Sequence, residues 1–128
     1  SAFAAGAEAI QMGTRFVSSI ESPVHDNFKN SIKSAGTDGT YILNKSSKPV
    51  IRALKTELTK DIFEKGSMSM GDLAKIKDLY FGGDMNAAPA LAGQSSGLIN
   101  EIKSVKNIIN ETISEYNEVC LNLSKNLY

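Results

Sequence analysis

In 128 residues the chain has no tryptophan, one histidine and one cysteine. The lone cysteine, Cys120, forms no internal disulfide, which fits a reducing compartment. The lone histidine, His25, supports no Ser–His–Asp arrangement, and beside Asp26 after a proline it reads as an exposed or capping residue. Asp72, Asp78 and Asp84 have no His or Cys partner at ligand spacing, so no metal site is expected. An excess of charge is missing too, since 14 Lys and Arg balance 14 Asp and Glu and the charges are scattered. A nucleic-acid partner calls for a basic face with stacking aromatics, and neither is present. No apolar run approaches the ~20 residues of a membrane span. The Ala-rich start lacks the basic flank and cleavage pattern of a secretory signal. These absences describe a cytoplasmic, globular chain with no nucleic acid, membrane or metal among its expected partners.

What is present is a series of short segments punctuated by glycine, proline and cap residues. Ser1 to Gly6 reads as a helix end closed by glycine. Ala9, Ile10 and Met12 read as a strand apolar on both faces, as in a parallel sheet covered on both sides. Ser22-Pro23 opens a helix over 23–34 with Val24, Phe28 and Ile32 as its stripe. Thr40 to Leu43 is a brief β-prone run. Pro49 opens a second helix with Val50, Ile51, Leu54, Leu58, Ile62 and Phe63 inward, closed at Gly66. Residues 67–71 connect, Asp72 caps a short helix carrying Leu73, Ile76, Leu79 and Tyr80, and Gly82-Gly83 ends it. Ser104 caps a long helix whose stripe, from Val105 through Ile109, Ile113, Tyr116 and Cys120 to Leu123, predicts core packing.

Two stretches are candidates for contact with a ligand. Gln11-Met12-Gly13-Thr14 runs from the expected strand into a small-residue turn, where Gly13 leaves the backbone open to close approach and Thr14 offers a hydroxyl and an N–H. That is the chemistry of a phosphate cradle, and equally of an ordinary turn. Residues 87–97, rich in Ala and Gly, leave room for close packing on a backbone or a ligand. Gly93 and Gln94 sit within it.

The order of several blocks carries a resemblance. Ala7-Glu8-Ala9-Ile10-Gln11-Met12-Gly13-Thr14-Arg15-Phe16 resembles the last barrel strand of the 2-nitropropane dioxygenase-like flavoproteins, the family of nitronate monooxygenases and FMN-dependent enoyl-acyl-carrier-protein reductases. Glu21 to Lys29 is similar to the segment after that strand, and Pro49 to Lys55 with Leu58-Thr59 to the next helix. Gly83-Asp84-Met85 and Ala90 to Ile99 resemble the late helix that returns to the barrel mouth. The resemblance covers residues 2 to about 115.

It implies an α/β fold, the C-terminal part of a (β/α)₈ TIM barrel, mostly helical with one core strand. Residues 1–20 would be the last barrel strand and phosphate turn, 21–85 a helical excursion beside the mouth, and 86–128 the closing helices. A whole barrel needs about 250 residues, and the opening strand needs neighbours to pair its backbone, so the N-terminal part of the same polypeptide is an expected partner. It also implies FMN, with Gln11, Met12, Gly13 and Thr14 as flavin contacts, Gly93 and Gln94 near a small-molecule substrate, and Arg15 turned into a structural ion pair. No catalytic residue is expected here, because the family's catalytic histidine lies upstream. The implied activity is nitronate oxidation with O₂ to a carbonyl compound and nitrite, favoured over enoyl-acyl-carrier-protein reduction with NAD(P)H by Pro89 and Leu91 in the late block. A non-catalytic helical interaction module is the remaining reading, and a homodimer is a candidate assembly.

Overall fold

The computed structural model describes residues 2–125. Ser1 and residues 126–128, the outer ends of the expected segments, lie outside the described residues. A 3₁₀ turn at Phe3–Ala5 ends on Gly6 at φ 91°, the glycine cap that the sequence predicts. Then follow α1 (Thr14–Val17), α2 (Asp26–Ser34), β1 (Thr40–Leu43), β2 (Ile51–Leu54), α3 (Glu57–Lys65), α4 (Ile76–Tyr80) and α5 (Val105–Ser124), with 3₁₀ turns at Met70–Leu73 and Gln94–Leu98.

The Thr40 to Leu43 run forms its strand, but its partner is a surprise for the sequence. Residues 51–54, expected as the first turn of a helix, form β2, antiparallel to β1 with Thr40 opposite Leu54 and Leu43 opposite Ile51. The helix begins only at Glu57. Thr56 caps it, exchanging hydrogen bonds with Thr59 in a capping box, and Gly66 closes it at φ 75°. Tertiary pairing overrides the helical periodicity here. The free edge of β2 is taken by the small-residue stretch: the Leu54 N–H donates to the Ala90 carbonyl at 2.8 Å, and the Ala92 N–H to the Arg52 carbonyl at 3.2 Å. Residues 90–92 lie outside any local window of sequence around β2.

Other boundaries shift for similar reasons. α2 starts at Asp26 rather than Pro23, because His25 supplies the cap: its Nδ1 accepts from the Asn27 N–H at 3.1 Å. Asp72 accepts from the Ser69 N–H and hydroxyl within a 3₁₀ turn rather than capping α4 itself. Gly83 ends the α4 segment at φ 76° as expected.

The main core packs Phe28 and Ile32 of α2 on Leu54, Leu79, Ala88 and Ala90. A smaller one lies between the hairpin and α3, around Leu43, Ala53 and Ile62. Two expected burials do not occur. Residues 9–12 belong to no strand, Ile10 is 47% exposed, and the one sheet among the described residues is the β1–β2 hairpin. An apolar segment with no strand beside it has nothing to pair with. In α5 only Ile108 is buried; Ile109, Ile113, Tyr116, Val119 and Leu123 face outward, and Cys120 is exposed rather than a core residue.

Candidate functional site

The Gln11–Arg15 turn leads into α1. Gly13 is its N-cap at φ −95°, ψ −76°, and no side chain caps this end. The first helical bonds run from the Phe16 and Val17 amides back to the Gly13 carbonyl, so the amides of residues 13–15 lie ahead of any intrahelical partner. A Cβ on Gly13 would meet nothing within 4 Å. The angles are ones that any residue adopts, so glycine here leaves space rather than permitting a conformation.

The turn is held from two sides. The Ile20 N–H donates to the Lys103 carbonyl at 3.0 Å, and the Glu21 carboxylate accepts from the Val105 N–H, so α5 starts against the segment that follows α1. Ser104 caps α5 as the sequence predicts. On the other side the Gly93 N–H donates to Thr14 Oγ1 at 2.8 Å.

Between these supports lies an open cleft of about 710 Å³ lined by Gln11, Met12, Gly13 and Thr14 together with Gly93 and Ser95. Its far wall is Asn100, Lys103 and the face of α5 bearing Ile108, Glu111, Thr112 and Glu115. The expected residues therefore come together except for Gln94, which lines a neighbouring cleft with Thr37, Gly97 and Leu98. Lys103 and Glu111 are part of the site that motif reading missed. One signal pointed there: once Ser104 fixes the start of α5, positions 108, 111, 112 and 115 share one face.

The cations in the cleft are already engaged. Lys103 Nζ lies 2.9 Å from Glu111 and 3.2 Å from Glu101, and the hydrogen bond to Glu111, then that to Glu101, raise its pKa. Arg15 makes no ion pair among the described residues, contrary to expectation; its Nη1 donates to the Glu101 carbonyl at 2.8 Å. What the turn has to offer an anion is main-chain N–H, the Thr14 hydroxyl and open space over Gly13. These fit a phosphate.

The sequence profile of the nitronate monooxygenase family matches residues 1–115. The chain belongs to this family. A solved point mutant of FabK from Thermotoga maritima is 39% identical with a TM-score of 0.84, over 98% of this chain and 40% of that one. FabK from the same organism gives 34% and 0.88, over 98% and 42%. A methyl-oxo-octahydroindene carboxyl-CoA dehydrogenase from Mycobacterium tuberculosis is 36% identical over 73 residues, which is 57% of this chain and 20% of the relative. The chain thus spans about two fifths of the length of its structural relatives, and its fold is the corresponding part of their (β/α)₈ barrel. The family is one of FMN-dependent flavoenzymes.

Proposed function

We propose that the polypeptide carrying this chain is an FMN-dependent oxidoreductase in which Gln11, Met12, Gly13 and Thr14 contact the flavin and the 13–14 turn holds its phosphate. The observation that carries this reading is the juxtaposition of open backbone at Gly13, the Thr14 hydroxyl and the Gly93 wall on one cleft. It is the kind of site in which barrel enzymes hold phosphate, after their last two strands. Bound FMN supplies the two-electron redox chemistry. This chain's share is to grip the phosphate and form one wall, with Gly93 beside the flavin and Gln94 reaching substrate from the adjoining cleft.

Within that class the favoured substrate is an acyl thioester. FabK is an FMN enoyl-acyl-carrier-protein reductase of the same family, and it and the carboxyl-CoA dehydrogenase both support this reading. Nitronate oxidation, which the late block favours on sequence, keeps the support of the family profile. The residues that favoured it lie elsewhere in the fold: Pro89 is fully buried, Leu91 makes an isolated bridge to Ala53, and neither lines the cleft.

The test uses the full-length polypeptide. It should purify yellow and oxidise NADH or NADPH in the presence of an enoyl thioester faster than it consumes O₂ with an alkyl nitronate. The opposite order would restore the nitronate reading. A colourless protein that neither binds FMN nor turns over either substrate would sink both and leave the interaction module.

A further inference from the structure

The Thr14–Gly93 hydrogen bond joins positions 79 residues apart. What it does follows from the bonds behind Gly93. The Gly93 carbonyl accepts from the Ser96 N–H at 3.2 Å and from the Ser96 hydroxyl at 2.6 Å, and Ser96 is fully buried. One residue earlier, the Ala92 N–H is bonded to the Arg52 carbonyl of β2. The Leu91–Ala92 peptide is therefore held on the sheet, and the Gly93–Gln94 peptide on a buried serine through the Gly93 carbonyl. The Ala92–Gly93 peptide lies between these two anchors, and its N–H is the group that donates to Thr14.

A hydroxyl has one proton to donate and two lone pairs with which to accept. With Thr14 Oγ1 already accepting from Gly93, the Thr14 proton turns away from that amide. An accepting hydroxyl is also the stronger donor, because successive bonds polarise one another. The missing side chain belongs to the same device, since a Cβ on Gly93 would stand 3.3 Å from Thr14 Oγ1 and crowd it. We propose that Gly93 is a positioning residue for anion binding: its amide sets the Thr14 hydroxyl as a donor to a phosphate oxygen, so residue 93 acts on the cofactor through Thr14. This rests on the FMN reading above and departs from the expectation that Gly93 matters only as open wall beside substrate.

The experiment is a double-mutant cycle on FMN affinity, read by flavin fluorescence on the full-length apoprotein, with thermal midpoints as a folding control. Thr14→Val should raise the FMN Kd about ten- to a hundredfold, the usual loss for a hydrogen bond to a charged group. Thr14→Ser, which keeps the hydroxyl, should stay within about threefold. Gly93→Ala should raise the Kd by roughly five- to tenfold with Thr14 present and leave it unchanged in the Thr14→Val background, because the path it acts through is gone. Equal effects of Gly93→Ala in both backgrounds would overturn the inference, as would an unchanged Kd in Thr14→Val. The first outcome leaves the FMN reading standing, and the second leaves FMN binding standing while removing the Thr14 hydroxyl from the cradle. A wild-type protein that binds no FMN would instead remove that reading, and this inference with it.

Discussion

Gly97 lies against the main chain of Gly36: a side chain on Gly97 would overlap the Gly36 carbonyl and meet the Thr37 amide at 2.6 Å. The contact seats the Gln94–Leu98 turn on the loop that leaves α2. It thereby sets the height of the wall that carries Gly93. Neither glycine belongs to the cleft beside Thr14, yet the position of that wall depends on them.

Gly97→Ala should cost about 1–3 kcal/mol, because the atoms in the way are backbone and the overlap is relieved only by moving a loop. Gly36→Ala tests a different cause. Gly36 has φ 65° with nothing within 4 Å of a Cβ, so its cost is conformational, about 1–2 kcal/mol, and Gly36→Asn should recover part of it. Urea unfolding of the three variants separates the cases. Equal stability of Gly97→Ala and wild type would show that the loop moves freely.

At Gly13 the expectation reverses. The backbone angles suit any residue and the space is open, so Gly13→Val should leave folding stability within about 0.5 kcal/mol. In the proposed cradle its methyl groups would stand where phosphate oxygens approach, so FMN retention after desalting should fall sharply. A folded Gly13→Val protein that keeps stoichiometric FMN removes Gly13 from the cradle.

Thr59 holds the start of α3 from inside. It is fully buried, donates to the Leu54 carbonyl at 2.7 Å and accepts from the Thr56 N–H at 2.8 Å. Thr59→Val keeps the volume and strands both partners, for a loss of about 2–3 kcal/mol. Thr56→Ala removes an ordinary cap, about 1 kcal/mol. Chemical denaturation that ranks Thr56→Ala as the more damaging change would contradict this account.

Burial raises the pKa of the Tyr80 phenol, whose ring meets Phe28 edge-on at 5.2 Å. The folded chain then holds that proton more tightly than the unfolded one. The contribution is fully present below the unfolded phenol's pKa, about 10, and is lost as pH rises through the folded value. Thermal midpoints between about pH 8 and about pH 12 should fall less steeply in Tyr80→Phe than in wild type. Parallel curves would mean that Tyr80 does not titrate with folding.

The sequence by itself determined those features whose causes lie within a few residues. The glycine ends at Gly6, Gly66 and Gly83 need a left-handed angle, Ser104 needs only the Asn107 amide, and the Thr40 to Leu43 run carries its own β preference. The ordered blocks from Ala7 to Ile99 carried family membership, and with it the flavin expectation, because a family is recorded in the residues themselves. The tertiary structure decided wherever the partner is distant along the chain. Residues 51–54 became a central strand because residues 90–92, far along the chain, take the edge that the neighbouring β1 leaves free. Residues 9–12 and the α5 stripe have the composition of buried segments but lie open, since apolar pattern states what a segment can bury and not what is there to bury it. Gly93 and Gln94, adjacent in sequence, fell into different clefts, and the amide of Gly93 met Thr14 only because the sheet and Ser96 hold the main chain between them.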